Sequence, residues 1–308
     1  MSILVVGSVA YDDLETPSGK RDRVLGGAAS HFSTSASFFS PVSLVAVVGG
    51  DFDERHISFF QKRGIDISGL QMIPEGKTFH WTGHYLNDIN HAETLETRLG
   101  VFEYFRPQLT EQHRSIPFVF LANIHPELQL SVLEQVKAPK LVAMDTMNFW
   151  ITSTRDQLQK VIERVDILFV NDNEAKMLTG EKNVTKAASQ MMGWGPKVIV
   201  VKRGEHGALL FGQDFVFSAP GMPLAHIVDP TGAGDSFAGG FIGYLAKSQS
   251  ALDEAHLRRA AICGSVMASF QVEDFSLDRM RTLTAMDIER RYRDFKSLSD
   301  FPDTAIFE

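Results

Sequence analysis

Short apolar segments alternate with helical patterns along most of this chain, and this alternation most limits the folds that it can adopt. A strand that is apolar at nearly every position has both faces buried, as in a parallel sheet with helices on both sides. Strands are predicted at residues 2–8, 43–48, 117–121, 140–145, 166–170 and 197–202. Helices are predicted at about residues 28–40, 53–63, 127–137, 153–164 and 184–192. We therefore expect an α/β protein, built as a three-layer α/β/α sandwich with a mostly parallel central sheet.

Residues 70–106 interrupt this alternation. They include KTFHWTGHYLND and AETLETRLGVFEYF, which alternate with a period of two and are rich in Thr, Phe, Trp and Tyr. Such a pattern is typical of a small antiparallel sheet that stands off the main domain. We interpret it as a lid over a cleft. A surface excursion or a dimer contact is the alternative, and these interpretations are compatible.

Composition and charge argue against several classes of function. The 308 residues carry a net charge of −8, from 30 basic and 38 acidic side chains, with no run of Lys and Arg, which argues against a nucleic-acid partner. The apolar start MSILVVGSVA is too short to span a bilayer and lacks the features of a signal peptide. The single cysteine, Cys263, precludes an internal disulfide and fits a reducing compartment. We expect a cytoplasmic protein with no membrane partner.

The stretch DPTGAGDSFAGGF, residues 229–241, places three small residues before an acid and then begins a helical pattern. Gly232, Ala233 and Gly234 let backbone N–H groups converge, and a helix N-terminus adds the positive end of its dipole, which favours an anion such as phosphate. Asp235 would repel that phosphate unless a hydroxyl group lies between them and loses its proton as it attacks phosphorus. The stretch indicates phosphoryl transfer. An acid that only satisfies free N–H groups at a helix start is the commoner alternative.

Three further motifs suggest other chemistry but are incomplete. ILVVGSVA resembles the start of a dinucleotide-binding unit, but no G-x-G-x-x-G follows, which argues against a dehydrogenase. EGKTF resembles the end of a P-loop, but Gln71 occupies the position of the first glycine and a strand follows. On a strand, His80 and His84 would lie about 13 Å apart, too far for one zinc. Together with His91, they are interpreted as polar lid residues.

Two long motifs carry a family resemblance. DPTGAGDSFAGGFIGYLA, residues 229–246, resembles the C-terminal signature of the ribokinase-like (PfkB) carbohydrate kinases, and LGGAASHFSTSASFFSPVSLVAVVGGDFDERHISFFQKRGID resembles their N-terminal signature. The resemblance implies one ribokinase-like kinase domain over residues 1–308, with the lid inserted at about residues 9–25 and 70–106. It also implies that ATP, with Mg²⁺, donates its γ-phosphate to a hydroxyl of a small sugar, expected to be a primary CH2OH.

The resemblance assigns the catalytic roles to the C-terminal motif. Asp235 matches the family's catalytic base, which takes the proton from the acceptor hydroxyl. Gly232, Ala233 and Gly234 match the anion hole that receives the developing charge. These assignments agree with the physical interpretation of the same residues.

VNDNEAKMLTG ends a predicted strand and begins a helix. Within it, Asn171 and Glu174 match the family's N-x-x-E motif, which holds magnesium-bound water and the phosphates. An amide and an acid three residues apart share one face of a helical turn, as a hydrated Mg²⁺ prefers. The alternative is an ordinary helix start with Asn171 or Asp172 as the cap.

The remaining nucleotide contacts are implied by VVKRGEHGALL and by the start of the C-terminal motif. The resemblance places Lys202 near the phosphates and Gly204 and Gly207 where the backbone passes close to the nucleotide; a generic hairpin turn is the alternative. Thr231 is expected at the nucleotide. Beside it, Asp229 is expected to bind a potassium-like ion.

AAICGSVMASFQVED resembles the helix that borders the adenine site. The chain departs from the family just after it, because Phe275 and Ser276 stand where many members have a glycine. The resemblance therefore leaves the adenine contacts open.

The substrate half contains candidate acceptor contacts. Asp12 matches the acid that grips sugar hydroxyls, and a carboxylate can accept two hydroxyl hydrogens at once. Gly26 and Gly27 match the paired glycines over which the sugar lies. His31 falls where ribokinase itself has an amide.

Other positions weaken a ribose-specific assignment. Ala10 and Ala28 replace two polar positions that ribose recognition would use. Asn123 and Asp145 close two predicted strands that face the same crevice, and we expect them either to touch the substrate or to make strand-end hydrogen bonds. The acceptor stays open between a sugar and a nucleoside.

Three aromatic residues of the lid, Phe79, Trp81 and Tyr85, would share one face of a regular strand. Such a face packs on a core, meets a partner subunit, or stacks on a nucleoside base. A nucleoside kinase is therefore an alternative acceptor class, and a non-catalytic sugar-binding relative is the alternative to an enzyme. We also expect a homodimer formed through the lid, since related kinases pair these sheets.

Overall fold

The computed structural model describes residues 1–86, 89, 92–249 and 252–300. In these ranges the strands are β1 (Ile3–Val6), β2 (Ala10–Thr16), β3 (Gly19–Gly26), β4 (Val42–Gly49), β5 (Asp66–Ile73), β6 (Phe79–His84), β7 (Glu93–Arg98), β8 (Phe118–Leu121), β9 (Leu141–Met144), β10 (Ile167–Asn171), β11 (Val198–Lys202), β12 (Ala208–Phe211) and β13 (Val216–Ala219).

The α-helices in the same ranges are α1 (Ala28–Ala36), α2 (Glu54–Lys62), α3 (Glu111–Arg114), α4 (Pro126–Gln135), α5 (Asn148–Ser153), α6 (Arg155–Ile162), α7 (Asp172–Thr179), α8 (Val184–Met192), α9 (Ala233–Ser248), α10 (Glu254–Gln271), α11 (Asp278–Thr282) and α12 (Ala285–Ser297). Two short 3₁₀ helices lie at Gly100–Tyr104 and Gly204–His206. Across the described ranges, no helix combines the length and the apolar character that crossing a membrane requires.

The large sheet has nine strands in the described residues, in the order β13-β12-β11-β10-β9-β8-β1-β4-β5. All its pairs are parallel except those that β12 makes with β11 and β13. The predicted mostly parallel central sheet is confirmed. Each predicted strand corresponds to an observed strand of this sheet, with ends that differ by one or two residues.

Both faces of the large sheet are buried. Along β1, Ile3 and Val5 lie in one hydrophobic core, whereas Leu4 and Val6 lie in the other. Helices α1, α9 and α10 pack into the first core, and α4, α6 and α8 pack into the second. Because successive side chains of a strand point to opposite faces, a strand between two cores is apolar at every position. The three-layer sandwich is confirmed.

The strand order places the candidate site. β1 lies between β4 and β8, so the order of the strands reverses at β1. In open α/β sheets, ligands bind outside the carboxyl ends of the strands at such a reversal. Asn123 and Asp145 follow β8 and β9 at this edge, and Asn171 and Lys202 end β10 and β11 as register partners.

The separate small sheet has four strands within the described ranges, in the order β3-β2-β6-β7. β2 and β6 pair in parallel, whereas the two outer pairs are antiparallel. The expectation of an antiparallel sheet is wrong for this central pair, because a long crossover joins β2 to β6, as parallel pairing requires. Residues 70–73 belong instead to β5, at the edge of the large sheet.

Candidate active site

The N-terminus of α9 contains the three small residues of the C-terminal motif. Gly232 is the N-cap, with φ 73°, in the left-handed region that favours glycine. Gly232 has no side chain to cap this terminus, and the first N–H of the helix, that of Ala233, donates to the carbonyl of Pro230 at 3.1 Å. Asp235 lies in the first turn. The turn therefore combines an anion-binding terminus with a carboxylate.

His31 packs directly against this turn. A Cβ atom at Gly232 would lie 2.3 Å from Cγ of the His31 ring, so a side chain there would displace the imidazole. His31 is 1% exposed, and neither ring nitrogen makes a hydrogen bond of good geometry within the described residues. Burial lowers the pKa of His31 to about 4, with a partial opposing effect from Gln271, so the ring is neutral at physiological pH. A neutral imidazole without a hydrogen bond of good geometry thus lies beneath the turn at Gly232.

Lys202 supplies a positive charge on the other side of the turn. Its Nζ lies 2.5 Å from Oδ2 of Asp145, and it would lie 3.0 Å from a Cβ atom at Gly234. Burial acts to lower the pKa of Lys202, but Asp145 and Glu174 outweigh burial and raise it, so the ammonium stays charged. Asp145 therefore fixes a cation beside the first turn of α9.

Asp235 is partly exposed to solvent, although protein atoms surround its carboxyl group closely. Burial and the nearby charge of Asp145 raise its pKa to about 7, and Lys202 opposes that rise. A carboxylate with a pKa near the working pH is suited to accept a proton from a hydroxyl group and release it later. The raised pKa is the property that the predicted general base would need.

Asn171 and Glu174 form a capping box at the start of α7. The Asn171 side chain accepts a hydrogen bond from the backbone N–H of Glu174 at 2.9 Å, and Glu174 Oε2 accepts from the N–H of Asn171 at 2.7 Å. Burial raises the pKa of Glu174 to about 7, with Asp145 adding to the rise and Lys202 opposing it. The box is a cap, and its acid also belongs to the charged cluster around Lys202.

A cavity of about 410 Å³ opens beside this cluster. Its lining includes Lys202, Gly204, Gly207, Gly234, Phe237 and Val272. Gly204 and Gly207 have φ of 55° and 83°, so the turn that joins β11 to β12 needs glycine for its own conformation. Of the predicted nucleotide residues, Lys202, Gly204 and Gly207 line this cavity, whereas Asn171, Glu174 and Thr231 are not among its lining residues. The hairpin-turn explanation for the two glycines is also correct.

Asp229 lies buried just before the turn. It accepts hydrogen bonds from the backbone N–H groups of Thr231 at 2.9 Å and Ser276 at 2.8 Å, and burial raises its pKa. Ser276 has φ 53°, in the left-handed region that favours glycine, so a glycine would adopt this backbone without strain. Its hydroxyl donates to the carbonyl of Leu25 at 2.5 Å, which ties the segment to β3.

Asp12 and the paired glycines form a second part of the site. A Cβ atom at Gly26 would lie 1.9 Å from Oδ2 of Asp12, so this contact requires glycine. Gly27 has φ 92° and is the N-cap of α1. Burial raises the pKa of Asp12 well above its usual value, and the charges of Asp229 and Asp235 add to the rise. The carboxyl group is thus held in a region already crowded with acids.

Sequence comparison identifies the family to which this arrangement belongs. Residues 3–281 match the family described as "pfkB family carbohydrate kinase". The chain belongs to this family. It is 36% identical to the cytidine kinase of Thermococcus kodakarensis over 79% of this chain and 88% of that protein. It is 30% identical to a nucleoside kinase of Methanothermobacter thermautotrophicus, over 88% of this chain and 89% of that protein.

The fold of this PfkB kinase is shared with solved structures. The crystal structure of the Methanocaldococcus jannaschii nucleoside kinase, an archaeal member of the ribokinase family, matches it with a TM-score of 0.75. That match covers 95% of this chain and 98% of the other, at 20% sequence identity. Kinases of this family use ATP, so the chain is an ATP-dependent phosphotransferase.

The aromatic side chains that were predicted to form the lid have separate partners in the PfkB kinase. Phe79 stacks on Phe102, with ring centroids 5.5 Å apart, and the indole N–H of Trp81 donates to Thr94 at 3.1 Å. Tyr85 lies just beyond the end of β6, and its hydroxyl accepts a hydrogen bond from the side chain of Thr231 at 3.1 Å. Tyr85 therefore contacts the turn before α9.

Two of the histidines that were predicted to lie in the lid pair with acids of the small sheet. His80 lies 2.9 Å from Asp13, and His84 lies 3.5 Å from Glu93. His91 lies outside the described residues. Among the residues that the structure describes, no cluster of three or more His, Cys, Asp and Glu side chains could hold a metal.

Asn123 stands apart from the other candidates. Its side-chain oxygen accepts a hydrogen bond from the indole N–H of Trp150 at 2.9 Å, which is a strand-end contact. Asp145, the other candidate of this kind, pairs with Lys202 on the nucleotide side. No local pattern in the sequence marks that ion pair, because its partners are 57 residues apart and meet only when β9 and β11 join one sheet.

Proposed function

We propose that this PfkB kinase is a nucleoside kinase that transfers the γ-phosphate of ATP to the primary hydroxyl of a ribonucleoside. The proposal is supported by its similarity to proteins named cytidine kinase and nucleoside kinase. Cytidine is the first acceptor to test. The proposal includes a cytoplasmic location and a homodimer, with the small sheet acting as the lid of one kinase domain over residues 1–308.

The observation that carries the nucleoside assignment is the position of Trp81. In the parallel register of β2 with β6, Asp12 is the partner of Trp81, so both side chains lie on the same face of the small sheet. The indole also covers Gly83, where a Cβ atom would lie 2.3 Å from the ring. Asp12 can accept hydrogen bonds from ribose hydroxyls while the neighbouring indole stacks on a base, which a simple sugar lacks.

Asp235 acts as the base in this mechanism. Its carboxylate takes the proton of the acceptor hydroxyl as the new oxygen–phosphorus bond forms and the bond from the γ-phosphorus to the leaving oxygen of ADP breaks. The backbone N–H groups of Gly232, Ala233 and Gly234, together with the Lys202 ammonium, stabilise charge on the transferred group, and the N–H of Ala233 leaves the carbonyl of Pro230 to do so. Asp12, Gly26, Gly27 and His31 orient the acceptor toward the turn. Asn123, whose side-chain oxygen is bonded to Trp150, has no assigned contact with the acceptor in this proposal.

The nucleotide and its metal fit the residues on the other side. The cavity of about 410 Å³ suits a nucleotide, with Lys202, Gly204 and Gly207 at its wall. Thr231, next to the lining residue Pro230, is assigned to the nucleotide by the family resemblance. Buried carboxyl oxygens near Lys202 are donors that Mg²⁺ accepts, and Glu174, with Asn171, would hold the ion through its water shell. When bound, Mg²⁺ neutralises charge on the phosphates.

A monovalent cation is proposed near Asp229. The carboxylate is fully buried, and among the described residues no Lys, Arg or His side chain lies within ion-pair distance of it. A potassium-like ion would compensate this buried charge. Activity is then expected to be higher in potassium than in tetramethylammonium at equal ionic strength. Equal activity in the two salts would remove this part of the proposal.

The function is tested with MgATP and a panel of acceptors, measuring ADP release and the phosphorylated product by mass spectrometry. The panel contains cytidine, uridine, adenosine, inosine, ribose and fructose. We expect nucleosides to give a higher kcat/KM than ribose or fructose, with the phosphate on the primary hydroxyl. Phosphorylation of the sugars alone would replace the nucleoside assignment with a sugar kinase. No transfer to any acceptor would favour a non-catalytic relative.

A further inference from the structure

Tyr85 is the point where the small sheet reaches the side chains of the phosphoryl-transfer turn. Its backbone N–H donates to the carbonyl of Glu15 at 2.9 Å, so it stays attached to β2 beyond the end of β6. Its side chain is 8% exposed, and the hydroxyl lies 3.1 Å from Oγ1 of Thr231. Thr231 immediately precedes Gly232. One hydrogen bond thus joins the sheet that carries Asp12 to the turn that carries the catalytic base.

The other polar groups of Thr231 are also occupied. Its backbone N–H donates to Asp229 at 2.9 Å, and its carbonyl accepts from Nε2 of Gln271 at 3.1 Å. Gln271 is fully buried, and its side-chain oxygen accepts from the hydroxyl of Ser236, in α9, at 3.3 Å. Thr231 is therefore held on one side by Asp229 and Gln271 and on the other by Tyr85, which is attached to the small sheet. Its conformation depends on both.

The hairpin formed by β2 and β3 contacts the segment that precedes the turn, but it binds backbone carbonyl groups there. The Thr16 hydroxyl donates to the carbonyl of Val228 at 2.8 Å, and the Ser18 hydroxyl donates to the carbonyl of Ile227 at 3.2 Å. These contacts fix the approach to the turn. The contact of Tyr85 lies closer to α9, at the residue next to its N-cap.

We propose that Tyr85 is a positioning residue for phosphoryl transfer: through Thr231, it makes the alignment of the Gly232–Asp235 turn depend on the position of the small sheet. The proposal rests on the proposed function, in which the acceptor binds on that sheet beside Asp12. An acceptor that orders the sheet thereby also orders the turn. Coupling of this kind favours transfer to the acceptor over unproductive arrangements of the turn.

The environment of the phenol suits this role. Asp12, Asp229 and Asp235 all lie close enough to influence Tyr85 electrostatically, and burial, followed by these charges, raises its pKa, so the hydroxyl remains neutral. An anion at this position would repel the three carboxyl groups. A neutral hydroxyl can bind Thr231 without adding charge to the acid cluster.

The first experiment compares Tyr85→Phe with the wild-type kinase. The change removes one oxygen and keeps the ring that fills the space. We expect kcat with the best acceptor to fall roughly three- to tenfold, as the loss of one buried hydrogen bond allows, while the KM for ATP changes by less than about twofold. Tyr104→Phe is the matched control, because Tyr104 is 78% exposed. A purely structural tyrosine would lower the melting temperature but leave kcat unchanged.

A double-mutant cycle tests whether the effect passes through Thr231. Thr231→Val removes the same hydrogen bond from the other side with little change in shape. If the bond acts as proposed, the double variant Tyr85→Phe/Thr231→Val loses about as much kcat as Thr231→Val alone. If the kcat losses of the two single variants multiply in the double variant, the effect of Tyr85 does not pass through Thr231 and the proposal is overturned.

Hydrogen–deuterium exchange gives a readout that does not depend on the acceptor. In Tyr85→Phe, amides of residues 229–235 should exchange several times faster than in the wild type and in Tyr104→Phe. Unchanged exchange together with unchanged kcat overturns the role of Tyr85. A wild-type protein that phosphorylates no nucleoside, but whose turn still loses protection in Tyr85→Phe, contradicts the proposed function and leaves the coupling supported.

Discussion

The polar groups on the two sides of Asp235 are held differently. On the phosphate side, Lys202 is paired with Asp145, and Glu174 completes a capping box with Asn171. On the acceptor side, the buried ring of His31 makes no hydrogen bond of good geometry within the described residues. Buried polar groups without partners cost free energy that a ligand can recover. In the proposed function, contacts within the fold therefore hold Lys202 and Glu174 on the phosphate side, whereas His31 on the acceptor side would gain its hydrogen bonds from the ligand.

This difference affects how easily substitutions can change each side of the site. A charge network that is complete without ligand keeps phosphoryl-transfer chemistry constant, because each member is fixed by another. A pocket whose groups are satisfied only by the ligand can change specificity through single substitutions. The contrast predicts which kinetic parameter each substitution will change.

The largest effect is expected from Asp235→Asn. The amide keeps the size of the side chain but cannot accept the proton, so kcat should fall by roughly 10² or more while nucleotide binding persists. Steady-state kinetics and calorimetric binding of ATP measure the two quantities. Asp214→Asn, on an exposed turn, is the control. An unchanged kcat would end the role of Asp235 as the base.

The fold and the turn at the start of α9 were predictable because their signals are local. Apolar runs indicate strands with two buried faces, and the small residues before Asp235 lie in one continuous stretch. Contacts that join distant segments carry no such signal. The bond between Tyr85 and Thr231 joins residues 146 positions apart, and the position of His31 beneath Gly232 depends on how α1 packs against α9.

The pH dependence of kcat/KM should show the titration of the acid cluster around Asp235. Asp235 and Glu174 have pKa values raised to about 7, so kcat/KM should fall as the pH drops through about 7, approaching tenfold per pH unit if Asp235 alone controls it. Rates measured from about pH 5.5 to 9 check this. A flat profile across pH 7 contradicts it.

The raised pKa of Asp235 also determines whether the stability of the fold rises or falls with pH. A carboxyl group with a raised pKa in the folded state binds its proton more tightly there, so its contribution to stability is present at low pH and is lost as the pH rises from about 4 through about 7. Asp235→Asn should therefore melt at a higher temperature than the wild type at pH 8. A lower melting temperature would show that the carboxylate is favourably held.

Trp81→Ala tests the acceptor side alone. Stacking of a base on an aromatic ring is worth about 1–3 kcal/mol, so the KM for a nucleoside should rise on the order of tenfold or more, with little change for ribose or for ATP. Phe102→Ala is a control, since Phe102 packs on Phe79 within the same region. Equal losses for nucleoside and ribose would remove the base-stacking role.

Glu174→Gln tests the phosphate side. Glutamine can still accept the N–H of Asn171, so the capping box persists while one negative charge near the metal is lost. The magnesium concentration for half-maximal activity should rise about three- to tenfold, with the KM of the acceptor unchanged. An unchanged magnesium requirement would show that the ion is not held by Glu174. A raised KM for the acceptor would show that the phosphate side and the acceptor side do not act independently.

The smallest effect on rate is expected at the outer edge of the small sheet. β7 is an edge strand, and Leu95 on it is 60% exposed, so an open edge with an apolar side chain favours pairing with a second copy. Leu95→Glu should shift the protein from dimer to monomer in light scattering at micromolar concentration and change the acceptor KM by less than about threefold. Leu298→Glu, on a leucine 40% exposed beyond α12, is the matched control. A monomeric wild type would contradict the homodimer. A dimeric Leu95→Glu would move the interface away from β7 and leave the acceptor side complete within one subunit.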